Sequence, residues 1–345
     1  MKKVALIGAG QIAETVHAAY YKTQEELYNI VAVVDPRIEV GEAFAQRNAI
    51  KKAYTDMKEM LILEKPDIIS VCTPNRFHYE NVMLALEAGC HVFCEKPPAM
   101  TSAQALEMAE KALEQKVILA YDFQHRYSDE TQMLKENIDI LGDIYFIDIM
   151  ALRRSGVPGW GNFIDKKLQG GGPLIDFGIH LLDTTFYLLD YPEIASVQAT
   201  SFQKIGPKKS KGTFGEWDPK KYTVEDAIFG IIELKNGGII RINTSFALNI
   251  EKEKVFNIQL CGDEAGATLY PGKIYRDNEG QLQIIKEVSE TLENIHFRSM
   301  AAFTDAVSGN KKAPIANAMQ GYTIQRLIEV LYQAAESGEK IAYEI

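Results

Sequence analysis

The chain has 345 residues with 37 basic and 47 acidic side chains, a formal net charge of -10, 46% hydrophobic and 24% charged residues. These proportions describe a folded globular protein of about two domains and exclude a disordered, collagen-like or disulfide-stapled chain. The acidic excess argues against broad binding to nucleic acid or anionic membrane, and no apolar run approaches the ~20 residues of a bilayer span.

Short apolar runs at 4–7, 30–34, 68–72, 91–94 and 117–120 read as strands, rich in Val and Ile and too apolar to have one wet face. Amphipathic stretches such as 80–88 and 103–115 lie between them and read as helices. Strands alternating with helices imply right-handed crossovers and a parallel sheet covered on both faces, which makes the first part α/β. After Tyr121 the rhythm changes. A helical stretch at 130–138 leads to a strand at 145–152, a glycine-rich loop and an apolar helix at 174–189. Strand-like runs follow at 195–202, 224–234, 239–246, 255–261 and 267–270, before a final helix at 316–337. Lys235-Asn236-Gly237-Gly238 carries the Asn-Gly signature of a tight hairpin. The second part is therefore expected to be α+β, a mostly antiparallel open sheet with helices on one side. Lys204 to Lys221 holds six lysines among Gly and Pro and reads as an exposed loop, with a phosphate-binding patch as the lesser alternative.

The opening Met-Lys-Lys-Val-Ala-Leu-Ile-Gly lacks a signal peptide's apolar stretch and cleavage site. Cys72, Cys90, Cys94 and Cys261 form no Cys-x-x-Cys pair, so reduced, mostly buried thiols and a cytoplasmic location are expected.

Gly8-Ala9-Gly10-Gln11-Ile12-Ala13 follows the first strand and opens the first helix. A glycine-x-glycine turn lets a pyrophosphate approach bare backbone amides at a helix N-terminus, and Ala13 supplies the small residue needed for close helix-to-strand packing. Asp35 ends the second strand, 22 residues beyond Ala13, near the ~20 expected of a carboxylate that bonds the adenosine ribose hydroxyls. That carboxylate favours NAD over NADP, while Arg37 nearby is a group that could accept the extra phosphate. Residues 1–121 thus read as an NAD(P)-binding domain and 122–345 as a substrate-binding and oligomerisation domain.

Two further segments suit chemistry. Cys94-Glu95-Lys96-Pro97-Pro98 ends a parallel strand, at the edge where open α/β sheets bind ligands. An ammonium there could stabilise an incipient alkoxide, or Lys96 could be a surface residue in a turn. Gly170-Gly171-Gly172-Pro173-Leu174-Ile175-Asp176-Phe177-Gly178-Ile179-His180 launches a helix that puts Asp176 and His180 on one face. His180 could take a hydroxyl proton with Asp176 orienting the substrate, or the two could be a satisfied core pair. No second His or Cys follows His180 at ligand spacing, which argues against zinc and leaves no metal expected.

Together these segments resemble the Gfo/Idh/MocA family, the relatives of glucose–fructose oxidoreductase and inositol dehydrogenase. The resemblance rests on Gly8 to Ala13, Cys72-Thr73-Pro74-Asn75 with His78, Glu95-Lys96-Pro97, Arg126 and Gly170 to Asp183, and runs nearly end to end. It implies an N-terminal Rossmann domain, a C-terminal open sheet used for oligomer contacts, and substrate bound between them. It also implies a catalytic trio of Lys96, Asp176 and His180, with Thr73, Pro74, Asn75 and His78 beside the ribose and nicotinamide and Glu95 near the ring. Pro98 and Gln124-His125-Arg126 depart from the usual pattern, the second bearing on substrate contacts from Arg126. Arg153 and Trp160 lie in a loop before the catalytic helix, which reads as a substrate lid or as a hydrophobic anchor. Tyr121 and His125 are further candidates to face the cleft, whereas His17, His91 and His296 have no partner legible in the sequence.

The combined expectation is an NAD-dependent dehydrogenase acting on a secondary alcohol of a sugar, polyol or cyclitol, as a homodimer or homotetramer. Two rivals are a redox-assisted glycosidase with tightly held NAD and a non-catalytic NAD-binding regulator.

Overall fold

In the computed structural model the described residues are 1–289 and 294–343. The chain forms two compact units, Met1–Asp122 with His296–Gln325, and Phe123–Ile295 with Arg326–Ile345.

The first unit is built on β1 (Lys2–Ile7), β2 (Tyr28–Val34), β3 (Lys52–Tyr54), β4 (Ile68–Val71), β5 (His91–Cys94) and β6 (Leu119–Tyr121). Their order is β3-β2-β1-β4-β5-β6 and every pairing is parallel. All four residues of β4 are buried, which is why this strand reads as an unbroken apolar run: helices cover both faces. Helix Ser102–Gln115 starts where the Thr101 side chain accepts from the Gln104 N–H and stops where Lys116 turns left-handed at φ 55°. The edge strand β3 is absent from the sequence reading, because three residues with an exposed lysine at their head give no apolar run.

Residues 296–325, expected from sequence to lie in the second domain, group instead with the first unit. Phe303 is fully buried and packs on Phe93 with ring centroids 5.1 Å apart. The Tyr20 and Thr304 hydroxyls meet at 2.8 Å, and the Tyr121 N–H donates to the Ala316 carbonyl at 3.0 Å.

The second unit carries a nine-stranded sheet. Its strands are β7 (Ile144–Arg153), β8 (Ile194–Phe202), β11 (Ala227–Leu234), β12 (Ile239–Ser245), β13 (Lys254–Gly262), β14 (Gly266–Thr268), β15 (Gly272–Asn278), β16 (Gln281–Val288) and β17 (Ile341–Ala342), with β9 (Lys211–Gly212) and β10 (Gly215–Glu216) forming a separate ladder. The order is β16-β15-β14-β13-β7-β12-β11-β8-β17, antiparallel except for β7 beside β12. The Asn-Gly hairpin joins β11 to β12, with Gly237 at φ +91° and the Leu234 N–H donating to the Gly238 carbonyl at 2.8 Å. Strands β15 and β16 escape sequence reading, since most of β16 is exposed and its charges blur any alternation. The lysine-rich stretch is an exposed loop tied down from inside. The Asp226 carboxylate accepts the N–H groups of Lys204, Ile205 and Gly206, the last at 2.7 Å, and Trp217 is buried beneath it.

Arg126, expected to contact substrate, is spent inside this unit. Its guanidinium grips Asp183 in a two-pronged ion pair of 2.8 and 2.6 Å, donates also to the Tyr191 hydroxyl, and lies 5.2 Å over the Tyr187 ring. Arg126 is 1% exposed and Asp183 not at all, so neither reaches open space. Burial opposes charge on both groups; the fork outweighs that for Arg126, whose pKa is raised, and offsets it only in part for Asp183, whose pKa burial also raises. Asp183→Ala, which leaves a buried guanidinium uncompensated, is expected to cost ~3–5 kcal/mol in urea unfolding of this unit.

Candidate active site

In the first unit the backbone ladder runs one residue past each strand. Gly8 N–H donates to Val34, Cys72 to Ile7, Glu95 to Val71 and Asp122 to Cys94, all at 2.8–3.0 Å. Two of these four, Glu95 and Asp122, set carboxylates at the carboxyl edge of the sheet, where parallel α/β sheets take ligands. Gly8 sits at φ +96°, and a Cβ on it would stand 2.8 Å from the Cys72 carbonyl oxygen, so a side chain there would collide with backbone. A Cβ on Gly10 would meet nothing within 4 Å, Gln11 is exposed and Ile12 half-buried, and Ala13 is fully buried against the core. The turn is a bare backbone cradle opening the helical turn Ala13–Ala18, which fits a dinucleotide pyrophosphate. The buried Asp35 carboxylate faces the same turn, accepting the Ala9 N–H at 3.2 Å and the Arg37 N–H at 3.0 Å. The Arg37 Nε reaches the same carboxylate at 3.3 Å from an exposed position.

The next turn holds Thr73, Pro74 and Asn75, the first and last half-buried and Pro74 exposed. His78 is sealed between two carbonyls, Nδ1 2.7 Å from Pro97 O and Nε2 2.8 Å from Thr73 O. Burial pulls its pKa below the ordinary value while both carbonyls favour the proton. The imidazole thus ties the 73–75 turn to the turn of Lys96, whose peptide bond to Pro97 is cis.

Glu95 and Asp122 stand buried at the ends of neighbouring strands, each against a histidine. His17 Nε2 lies 3.0 Å from Glu95 Oε1, and His296 Nδ1 lies 2.5 Å from Asp122 Oδ2. The polar atoms of Glu95, Asp122 and His296 fall within 4.8 Å of one another. Sequence reasoning found no partners for His17 and His296. Asp122 shares with Asp35 the one available signal, a carboxylate just past a strand, but nothing local predicts a histidine 174 positions away. His91 also has a use: its Nδ1 accepts the Ile118 N–H at 3.1 Å.

In the second unit Asp176 sits in a π-helical turn, Leu174–Gly178, that runs directly into helix Ile179–Leu188 with His180 in its first turn. Glu225 anchors this start: its carboxylate accepts the Gly172 N–H at 3.0 Å and the Tyr332 hydroxyl at 2.8 Å. Burial raises the Glu225 pKa against those hydrogen bonds. Gly178, without a side chain, lets the helix approach Thr244. His180 and Phe177 line a cavity of about 770 Å3 together with His125, Phe256, Tyr270 and Arg153. His125 Nδ1 meets the Tyr270 hydroxyl at 2.8 Å, and its ring lies edge-on to His180 at 5.2 Å. Trp160 is 55% exposed and rests on Phe214 at 5.8 Å, while Tyr121 is fully buried in the first unit.

A parallel sheet with a glycine cradle and an acid at its edge, joined to a unit whose cavity carries an imidazole, defines a dinucleotide-dependent oxidoreductase. The chain belongs to the Gfo/Idh/MocA oxidoreductase family: the family's NAD-binding Rossmann domain matches residues 2–123 and its C-terminal alpha/beta domain residues 135–343. It is 53% identical to a D-glucoside 3-dehydrogenase of Escherichia coli K12, over 98% of this chain and 97% of that protein. It is 27% identical to a glucose-6-phosphate 3-dehydrogenase of Bacillus subtilis 168, over 99% of each. A solved levoglucosan dehydrogenase in complex with NADH shares the fold at TM-score 0.83 and 17% identity, over 99% of both chains. No described helix is long and apolar enough to cross a membrane.

Asp122 holds the His296 pKa above its ordinary 6.5 against the opposing effect of burial. A raised folded-state value means the pair stabilises fully below 6.5 and its contribution fades as pH rises through the raised value. Asp122→Asn is expected to flatten that decline, read as the pH dependence of the melting temperature from about pH 6 upward.

Proposed function

We propose that this protein oxidises the C3 hydroxyl of a D-glucoside to the ketone with NAD as the hydride acceptor. The observation that carries the reading is the 53% identity, nearly end to end, to a D-glucoside 3-dehydrogenase. The second relative, though acting by name on a sugar phosphate, is likewise named for chemistry at position 3.

Bound NAD supplies the hydride-accepting ring. Gly8, Gly10, Gln11, Ile12 and Ala13 present the amides and open space for the pyrophosphate, and Thr73, Pro74 and Asn75 flank the ribose and nicotinamide. Asp35 favours the unphosphorylated ribose, because a second phosphate would meet a buried carboxylate and Arg37 is already engaged with that same group. His180 takes the hydroxyl proton as the carbinol carbon gives up hydride, and Asp176 in the turn before it orients the sugar. Lys96 stabilises the alkoxide while charge builds on oxygen, a contribution that exists only near the transition state. Glu95, held by His17, keeps a buried negative charge next to that ammonium. Arg153 and Trp160 border the remainder of the substrate.

The test is NADH absorbance with purified protein, methyl and aryl D-glucosides, inositols and free aldoses, each with NAD and NADP. Glucosides with NAD are expected to give NADH and a 3-keto product, and NADP a weaker signal. Lys96→Ala should lower the rate at least ~100-fold while NAD still binds. Near-normal turnover in that variant removes Lys96 from the chemistry, and glucoside cleavage without net NADH favours the redox-assisted glycosidase.

A further inference from the structure

Arg153 ends β7 and Lys254 begins β13, and the antiparallel register sets the two directly opposite each other. Like charges facing across a ladder destabilise it, so such a pair needs a reason. Among the described residues no carboxylate lies within ion-pair distance of either cation, and the Arg153 guanidinium donates only weakly, to the Gly156 carbonyl at 3.5 Å. Both cations instead lie over aromatic rings. The guanidinium is 3.9 Å from the Phe177 centroid and 5.0 Å from Phe214, and the Lys254 ammonium is 5.0 Å from Phe256 and 5.8 Å from Phe177. Ring faces hold a cation in place without neutralising it.

The location gives the pair its meaning. Phe177 is one helical turn before His180, and both line the 770 Å3 cavity along with Arg153 and Lys254. A second cavity of about 510 Å3, bordered by Phe214 and Lys252, is lined by the same two cations. Glu130, the carboxylate in the first cavity's wall, is 1% exposed and outside ion-pair range of both. Partial burial pulls the pKa of Arg153 down against the field of Asp176. It pulls Lys254 down as well, and there the guanidinium adds to the shift. An anion placed between the two groups would relieve both effects, and the planar fork of Arg153 suits a carboxylate or phosphate.

We propose that Arg153 and Lys254 form an anion site beside His180, and that the substrate is a glucoside bearing a carboxylate or phosphate away from the reacting hydroxyl. This rests on the glucoside reading and narrows it: the neutral sugar ring occupies the cavity of His180, and the anionic group meets the cation pair where the two cavities share it.

The experiment compares kcat/KM for methyl glucoside, carboxymethyl glucoside, methyl glucoside 6-phosphate and methyl glucuronide, in wild type and Lys254→Gln. At least one anionic substrate is expected to exceed the neutral one ~10-fold or more, mainly through KM and less at high salt, as for one charge-assisted contact. The favoured compound tells whether the anion sits on the aglycone or at C6, and as carboxylate or phosphate. In Lys254→Gln the ratio should fall to about twofold or less, with no loss of melting temperature because the repulsion is gone. No preference in wild type, or a preference that survives Lys254→Gln, overturns the proposal. If no glucoside of either charge is oxidised, the glucoside reading fails on its own, and calorimetric titration with inorganic phosphate still decides the site. Binding by wild type that weakens ~10-fold in Lys254→Gln supports it; equal binding, or none, by both proteins removes it.

Discussion

Two carboxylates at the carboxyl edge of the first sheet, Glu95 and Asp122, are almost wholly withdrawn from water, and much of the chain's path follows from having to accommodate them. An isolated buried carboxylate is strongly unfavourable, so each needs a hydrogen-bonded, positively inclined partner. Glu95 finds His17 on the first helical segment. Asp122 finds His296 because the chain, after laying down eight of the nine strands of the second unit's sheet, comes back to the first. The long segment between Asp122 and His296 thus leaves and re-enters the first unit at an acid–imidazole pair. The returning helix adds Phe303 to the core against Phe93. Lys96 lies one residue beyond Glu95, so the electrostatic setting of that ammonium depends on the same two pairs.

The second unit meets a comparable demand with different chemistry. Arg126 and Asp183 are buried as a bidentate pair inside a cage of tyrosines, which fixes the helix carrying His180 from one side. From the other end Glu225 accepts the first N–H groups of that helix and a tyrosine hydroxyl, so the π-helical turn of Asp176 begins from a held backbone. His180 thus stands on a helix held at two points and lines an open cavity, which supports the proposed role of a positioned base.

Local signals made the scaffold readable, and distant pairings hid its supports. Glycine at 8 and 10, alanine at 13 and aspartate at 35 are legible because each answers a local need: a left-handed turn, open backbone, close packing, a strand end. The parallel sheet announced itself because strands covered on both faces cannot alternate. Arg126 was misread because an arginine in a turn looks the same whether it faces open space or an aspartate 57 positions on. His17 and His296 gave no signal for the same reason. Strand β16 was missed because exposure on both sides removes the apolar pattern, β15 because its buried half holds a single large aliphatic residue, Ile274, and β3 because three residues are too few to make one. Lys254 in isolation is an unremarkable charged residue, and only the register of β13 against β7 sets it opposite Arg153.

The net charge and the cavity carry different information. A formal charge of -10 opposes the long-range approach of polyanions. Within ~8 Å, about one screening length at physiological salt, the nearest groups dominate instead. In the cavity of His180 these include a guanidinium and an ammonium fixed over aromatic rings. At the proposed anion site a small anion that enters the cavity meets these two cations, with Glu130 in the same wall. The proposed anion site would favour compact anionic substrates in a chain whose net charge disfavours large anionic polymers, a discrimination that neither the composition nor the fold class would by itself reveal.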